Sequence, residues 1–252
     1  MKKALLYIAA LTLAAVMPAQ ASAGILGDGI DLMLRAGYSV GGTSPLAMPA
    51  SIRSIDAFRI GSSFSAGGNI TKTFGGRWGL TSGLLLESKT MDADVTVKGY
   101  HMEIVQGDSK IEGVFTGHVH QQVSLLMLTL PLQASFKADD KLTLHAGPYA
   151  SLLLKKEFKG VASDGYLRQG DPTGPRIAIG DTPETNASYD FSDQIRSWQL
   201  GIAIGADYRI VNGLAIFANL SWGLTPLFPS DFTTVEQALY PIYGTLGLSY
   251  TL

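Results

Sequence analysis

The residues best suited to chemistry are two histidines, His118 and His120, which stand two positions apart and share one face of an extended segment. His101, Glu103 and Glu112 precede them in the same connection and would supply further imidazole and carboxylate ligands. These are ligand types that zinc accepts in proteins. Because no third ligand stands at a diagnostic spacing, solvated histidines are favoured, and neither a metal nor another cofactor is predicted.

A hydrolytic pair is the second chemical possibility, since His120 and Ser124 share a face of the same segment. Four extended residues separate them by about 13 Å, which is beyond hydrogen-bond reach and leaves the serine without a base. The chain also lacks a G-x-S-x-G nucleophile elbow. The sequence therefore predicts that the protein is not an enzyme.

A third group consists of charged or titratable residues at odd-numbered positions of segments whose even-numbered residues are apolar. The group comprises Asp31, Arg35, Arg59, Glu87, Lys89, His145, Asp207 and Arg209. Buried charge is costly unless it is paired, so we expect these residues to neutralise one another in two layers, with Arg59, Glu87 and Lys89 in the outer layer. The alternative is a narrow polar path for protons or small solutes, which glycines on the same face leave open.

Strict two-residue alternation indicates the elements that must hold these residues. Segment 197–210, SWQLGIAIGADYRI, is apolar at every even position and small or polar at every odd one, as in a half-buried strand. Seven other segments follow the same rule, at 31–40, 58–73, 78–90, 119–136, 141–155, 214–224 and 240–252. Segment 119–136 is apolar on both faces in its middle, so its register is the least defined.

Short and long connections alternate between these eight strands. The short ones are 74–77, 138–140 and 211–213, and the long ones are 41–57, 91–118, 156–194 and 225–239. This order predicts an all-β fold, a closed eight-stranded antiparallel transmembrane β-barrel of up-and-down topology. The short turns and both termini are expected in the periplasm, and the long loops outside the cell.

Export is predicted by the first 23 residues, in which Lys2 and Lys3 precede an apolar run at 4–16 and small residues at 21–23. Residues 24–252 then form a single outer-membrane barrel domain. Charged residues make up 16% of the chain, below the roughly 25% of soluble domains. Because there is no cysteine and the net charge is only -2, neither a lipid-modified cysteine nor a nucleic-acid partner is predicted, and outer-membrane lipid is the expected partner.

Aromatic residues fall at both ends of the predicted strands, where Trp and Tyr gather at membrane interfaces. The turn-side belt comprises Trp78, Phe136, Tyr208 and Tyr250, and the loop-side belt comprises Tyr38, Trp198, Trp222 and Tyr240. One strand register therefore produces two belts.

The hairpin at 128–154, LTLPLQASFKADDKLTLHAGPYASLLL, resembles the small outer-membrane barrels of the porin family, of the PorT-like kind found in Bacteroidota, with Gly147, Pro148 and Tyr149 as the most specific part. The C-terminus resembles the assembly signal of outer-membrane barrels. That signal would comprise Thr245, Gly247, Tyr250 and Leu252, with Leu where Phe is usual. The resemblance implies an integral outer-membrane protein.

Three functions remain open from the sequence. The first is a structural role, or one exerted through the loops, including service as an accessory subunit of an envelope machine with other envelope proteins as partners. The second is a narrow channel or small-ligand binder, and the third is a lipid-modifying enzyme. A secreted soluble β-sandwich is a different class, which would have to hide eight apolar strand faces between two sheets.

Overall fold

The computed structural model describes residues 29–106, 109–235 and 237–252, so the predicted export signal at 1–23 lies outside the described residues. Within these ranges the chain forms eleven strands and one 3-10 turn at Ser192–Gln194. The strands are β1 (Ile30–Pro45), β2 (Ile52–Ile60), β3 (Phe64–Thr73), β4 (Trp78–Gln106), β5 (Ser109–Lys137), β6 (Leu142–Gln169), β7 (Arg176–Ile179), β8 (Ala187–Asp190), β9 (Trp198–Val211), β10 (Leu214–Gly223) and β11 (Leu239–Thr251). None of the described residues forms a helix long and apolar enough to cross a membrane.

Eight of the strands close into a ring in the order β1, β3, β4, β5, β6, β9, β10 and β11, after which β11 pairs with β1 again. Every pairing in this ring is antiparallel. The predicted eight-stranded barrel is therefore confirmed. Closure satisfies every strand edge, as a wall surrounded by lipid requires.

The two ends of the barrel differ. At one end, here the turn end, tight turns join β3 to β4, β5 to β6 and β9 to β10, and glycines with positive φ occupy two of these turns at Gly75, Gly76 and Gly213. The chain termini of the ring also meet there, where the Leu252 amide donates to the Leu32 carbonyl at 2.9 Å. The other end, here the hairpin end, carries the long β4–β5 hairpin.

The predicted parity holds around the barrel wall, with even-numbered side chains outside and odd-numbered ones inside. On β9, Leu200 is 48% exposed whereas its neighbour Gln199 is 3% exposed. The same contrast separates Leu132 from Gln133 on β5. The barrel therefore presents an apolar exterior around a mostly polar interior.

The prediction that 91–118 and 156–194 are loops is wrong, because most of these residues lie in strands. β4 and β5 each have 29 residues and β6 has 28, so the wall continues well beyond the predicted strand ends. Short strands β7 and β8 add to this extension by pairing with β6, and β8 also with β4. The hairpin end is thus a β-structure and not a set of loops.

Part-way along the wall, the inner face changes from polar to apolar and the outer face from apolar to polar. We call this level the exchange of faces. On β4, Glu87 and Lys89 are the last inward polar residues, and the inward residues that follow, Met91, Ala93 and Val97, are buried and apolar. The outward residues change in the opposite sense, from leucines to Asp92 and Asp94 and other polar types. The principal buried apolar cluster lies in this upper part of the wall and in the segments that cover it. A wall that faces lipid below and water above must reverse its pattern in this way.

Two strand irregularities also reverse the parity above the exchange. Leu154 is an extra residue on β6, since Met127 pairs with Leu153 and Leu126 with Lys155, and it brings Phe158 inside. Gly99, with a φ of 68°, does the same on β4. Such β-bulges rotate a strand relative to its neighbour. The sequence pattern on which the strand ends were predicted therefore stops at this level.

The predicted strand at 58–73 is interrupted at 61–63 and forms β2 and β3, both antiparallel to β4. β3 pairs with β1 and β4, but β2 pairs with β4 alone. The ring is therefore complete at the level of β3, and above it β1 and β2 are not paired with each other.

Because the faces exchange polarity along β5, the same substitution should change the unfolding free energy very differently at two outward positions of this strand. Leu132→Arg places a cation near the middle of the lipid band and should cost about 2–4 kcal/mol of unfolding free energy. Gln122→Arg lies above the exchange and should change stability by less than about 0.5 kcal/mol. Urea unfolding in lipid vesicles measures both, and equal costs at the two positions would contradict the assignment of the lipid band.

Candidate functional site

The inward polar residues form two layers, and the first lies toward the turn end. Arg35 on β1 and Asp207 on β9 form an ion pair, with Arg35 Nη2 3.2 Å from Asp207 Oδ1. His145 on β6 approaches the other oxygen, with Nε2 2.9 Å from Asp207 Oδ2, although the ring is poorly aligned for a hydrogen bond. The Ser249 hydroxyl donates to Oδ1 at 3.3 Å. One carboxylate therefore joins three strands across the lumen.

The cation of this layer is also held by uncharged groups. The Arg35 guanidinium lies 4.1 Å from the centre of the Phe217 ring, in cation–π geometry. With the Asn69 amide oriented so that its oxygen faces Arg35, that oxygen accepts from Nη1 at 2.9 Å. Arg35, Asn69 and Phe217 are all buried. The charge is therefore compensated on several sides, as a buried ion requires.

The second layer lies just below the exchange of faces. Glu87 Oε2 accepts a hydrogen bond of 2.5 Å from the Thr129 hydroxyl and lies 3.6 Å from Lys89 Nζ. Lys89 is 1% exposed, and its ammonium group is within 5.6 Å of the ring centres of Tyr149 and Tyr243. It also lies 3.4 Å from the Ser221 hydroxyl. Lys89 therefore fills the lumen directly below the apolar upper half of the barrel.

Hydroxyl and amide groups occupy the space between the charged residues. Buried pairs include Thr129 with Ser151 at 2.8 Å and Tyr149 with Gln199 at 3.3 Å. The interior space that remains among these groups is about 30 Å³, enough for only a few water molecules. We call this set of inward polar residues, together with Phe217 and Tyr243, the plug.

The structure brings five of the eight predicted lumen residues into the plug: Arg35, Asp207, His145, Glu87 and Lys89. Asp31 is half-buried four residues below Arg35, and Arg209 is exposed at the turn end. The inward aromatic residues were not among the predicted residues, although the odd parity of Tyr149, Phe217 and Tyr243 would have indicated them.

The placement of Arg59 in the lumen is wrong. Its side chain is 58% exposed and lies outside the barrel, where Nη1 is 2.8 Å from Asp94 Oδ2. The reason is the interruption at 61–63, since β2 lies above the lipid band and pairs with β4 alone. Parity counted through an unbroken strand could not reveal that interruption.

His118 and His120 lie on the outer surface of this upper wall. His120 Nδ1 is 2.6 Å from Asp94 Oδ1, and His118 lies 3.8 Å from both Asp56 and Asp164. Among the described residues, no group of three or more His, Cys, Asp or Glu side chains is placed to hold a metal ion.

These contacts attach β2 to the wall. A hydrogen bond with His120 and the contact with Arg59 hold the pKa of Asp94 below its usual range. Hydrogen bonds from Ser54 and Thr96 lower the pKa of Asp56. A lowered carboxyl pKa stabilises the folded form above the ordinary pKa of Asp, and this contribution is lost as the pH falls through the lowered value. The attachment of β2 therefore persists at neutral and mildly acidic pH.

The predicted aromatic belts occupy the outer surface of the wall. Trp78, Trp198, Tyr208, Trp222, Tyr38 and Tyr250 are exposed, and Phe136 and Tyr240 are half-buried. Trp78 and Phe136 contact each other, with ring centres 4.7 Å apart. Their role as interface anchors, like that of Thr245, Gly247, Tyr250 and Leu252 as an assembly signal, stays a prediction.

A second interior space lies above the plug and was not predicted. It is a cavity of about 130 Å³, lined mainly by apolar side chains of β1, β2, β4 and β6 and of the segments before β9 and β11. The signal was present in the sequence, since Met91, Ala93, Val95 and Val97 continue the two-residue alternation. A larger concavity, of about 1110 Å³, lies on the lipid-facing surface of the wall around the small residues Ala146, Ala206 and Ala218. Few polar atoms line it.

An apolar exterior around a paired polar interior, in a closed antiparallel ring, defines an outer-membrane β-barrel. The chain belongs to the family described as outer membrane protein beta-barrel domain, whose model matches residues 19–229. No curated protein matches the chain.

Several solved outer-membrane proteins are similar in fold at low sequence identity. CarO2 of Acinetobacter baumannii is 12% identical, with a TM-score of 0.41 over 88% of this chain and 99% of that one. Ail, the attachment invasion locus protein of Yersinia pestis, is 9% identical, with a TM-score of 0.33 over 88% and 97%. OprG of Pseudomonas aeruginosa is 13% identical, with a TM-score of 0.32 over 88% and 95%.

The shared carboxylate of the first layer predicts a strong asymmetry between single and double variants. Asp207→Ala leaves Arg35 buried without its counter-ion and should destabilise the barrel by about 3 kcal/mol or more. Arg35→Met combined with Asp207→Leu removes both charges and should cost clearly less than Asp207→Ala alone. Urea unfolding in lipid vesicles measures both variants, and a double variant as unstable as the sum of its single variants would show that the two residues act independently.

Proposed function

We propose that this protein is a closed, non-enzymatic outer-membrane anchor that acts through the β-structure at its hairpin end. The observation that carries the proposal is the plug, which leaves about 30 Å³ in the lumen at the level of the lipid band. Within the family to which the chain belongs, the PorT-like porin branch is the one we propose, on the hairpin at 128–154.

The plug argues against the narrow channel. A permeating ion would have to displace Lys89, which is held by Glu87, two tyrosine rings and a serine hydroxyl, and then pass the Arg35–Asp207 pair. Each step would leave a buried charge without its partner, which costs several kcal/mol. If the lumen is closed, the surfaces outside the lipid band are the parts of the protein that can contact partners.

The hairpin end provides such a surface. Its strands continue far above the exchange of faces and contain an apolar core of their own, so the exposed residues are held on a rigid support. We place this end outside the cell and both termini in the periplasm. Other envelope proteins are the partners we propose, together with outer-membrane lipid around the wall, and nucleic acid is not among them.

The histidines give little support for catalysis. His118 and His120 are about half exposed on the outer surface of the sheet, and each lies against aspartate rather than beside a nucleophile in a cleft. This arrangement matches a hydrated polar surface that attaches β2 to β4.

The closed lumen predicts an electrically silent barrel. The full-length protein in planar bilayers should show no ion conductance above the leak of the lipid, because the plug obstructs the lumen. Lys89→Ser combined with Tyr243→Ser removes two large inward side chains and should produce measurable conductance. Lys98→Ser, at an exposed position, is the control and should stay silent. Conductance of the unaltered protein equal to that of the double variant would overturn the proposal.

The proposed orientation can be tested with single cysteines, since the chain has none of its own. Lys98→Cys lies at the hairpin end and Asp140→Cys at the turn end, and both positions are exposed. A membrane-impermeant maleimide should label the first on intact cells and the second only after the outer membrane is permeabilised. The reverse pattern would place the termini outside and refute the orientation.

A further inference from the structure

One unpaired boundary of the upper wall lies between β1 and β2. Strand β1 pairs with β3 as far as Tyr38 and with β11 as far as Pro45, and β2 pairs with β4 alone. Residues 41–45 of β1 therefore have no strand partner on the side that faces β2. We call this boundary the seam.

Side chains and not backbone hydrogen bonds occupy the seam. The Thr43 amide donates to Met91 Sδ at 3.0 Å, in place of a strand carbonyl. The tip of the Phe58 ring and the Met91 sulfur both lie over Gly42, where an added Cβ would be 3.1 and 3.2 Å from them. A thioether is a weak acceptor and both side chains can rotate. The seam can therefore open without breaking a backbone hydrogen bond between β1 and β2.

The cavity lies directly behind the seam. Gly42, Thr43, Phe58 and Met91 line it, and none of the lining residues within the described ranges carries a formal charge. Its size, about 130 Å³, is close to that of the apolar protein cavity of about 150 Å³ that binds benzene. A charged molecule would lose its hydration there without gaining a counter-ion, so the lining selects uncharged ligands.

Aromatic rings form one side of the cavity. Phe158, Tyr189 and Phe191 line it and contact one another, with ring centres 5.2 to 6.2 Å apart. Aromatic pairs at such distances are stabilised beyond the burial of their area. An aromatic ligand would extend this cluster.

One polar group of the wall awaits a partner. Thr43 is 3% exposed, and its hydroxyl makes no hydrogen bond of good geometry to any described residue. The hydroxyl of Tyr243 is buried beside it, and the two hydroxyls approach each other without good hydrogen-bond geometry. A buried hydroxyl without a partner is costly, so a ligand with one uncharged polar group would be favoured over a pure hydrocarbon.

The mouth of the seam is lined by apolar side chains of the inner face of β2. Ile55, Phe58 and Ile60 pair with inward-facing residues of β4, and all three are nevertheless exposed. The outer face of β2 carries Arg59, which contacts Asp94. The wall is therefore open at the seam, and its apolar inner face is accessible there.

We propose that the cavity binds a small uncharged molecule of about one aromatic ring, with at most one hydroxyl, and that this molecule enters sideways through the seam. The ligand binds above the plug and does not pass through the lumen. The proposal requires neither a closed lumen nor a particular orientation of the barrel, so it fails or survives separately from the proposed function.

Photolabelling of the full-length protein in lipid vesicles tests the site. A neutral phenyl diazirine should label cavity residues 91–102 as well as the lipid-facing residues of β9, which serve as an internal reference. Unlabelled benzyl alcohol should abolish the cavity signal alone, and benzoate should leave it unchanged. Labelling confined to the lipid-facing wall would overturn the site.

Variants that fill the cavity make the test specific. Ala93→Phe should abolish cavity labelling while the β9 reference persists, and Val97→Phe provides a second filling if the first variant does not fold. Resistance of the unheated barrel to detergent denaturation on gels checks folding. Cavity labelling that is unchanged in a folded variant would also overturn the site.

The route is tested by varying the delay between adding the probe and the light flash. Gly42→Leu obstructs the seam at the edge of the cavity, so cavity labelling should be reduced more at short delays than at long ones. Phe58→Ala opens the mouth and should increase cavity labelling at short delays. Phe74→Ala, an exposed position at the turn end, is the matched control. If neither seam variant changes cavity labelling at short delays, lateral entry is refuted.

Discussion

The constraint on which the structure depends is the change of solvent along a single hydrogen-bonded wall. Lipid cannot satisfy backbone groups, so the strands must close into a ring wherever hydrocarbon surrounds them. Above that level water surrounds the wall, and the apolar side chains turn inward. Lys89 and Met91, two residues apart on β4, stand on either side of this change. One closed sheet therefore contains a polar interior and an apolar interior in series.

The polar interior follows from the size of an eight-stranded ring, which its own side chains can just fill. Charges placed there must neutralise one another, as Asp207 does for Arg35, and the same carboxylate also contacts His145 from a third strand. Lys89 is compensated by one carboxylate and by aromatic faces. The same compensation that makes these ions tolerable also holds them in place, and an obstructed lumen results.

The apolar interior has a different vulnerability. Once the wall stands in water, an unpaired strand boundary is tolerated, and the seam between β1 and β2 is such a boundary. The contact of Arg59 with Asp94 attaches β2 on its outer side, while Phe58 and Met91 cover the cavity on the inner side. The upper half of the barrel thus combines a firm support with a boundary at which the wall can open.

Sequence alone determined the class of fold, the parity of the eight wall strands and most of the plug, because alternation between lipid and lumen is a local pattern that each strand carries by itself. It also predicted polar pairing, although not which carboxylate meets which cation. Tertiary structure decided the rest. The length of β4 to β6, the displacement of Arg59 and the cavity depend on where the surrounding solvent changes and where bulges at Gly99 and Leu154 rotate the strands. Those features arise between strands, and no single strand's pattern records them.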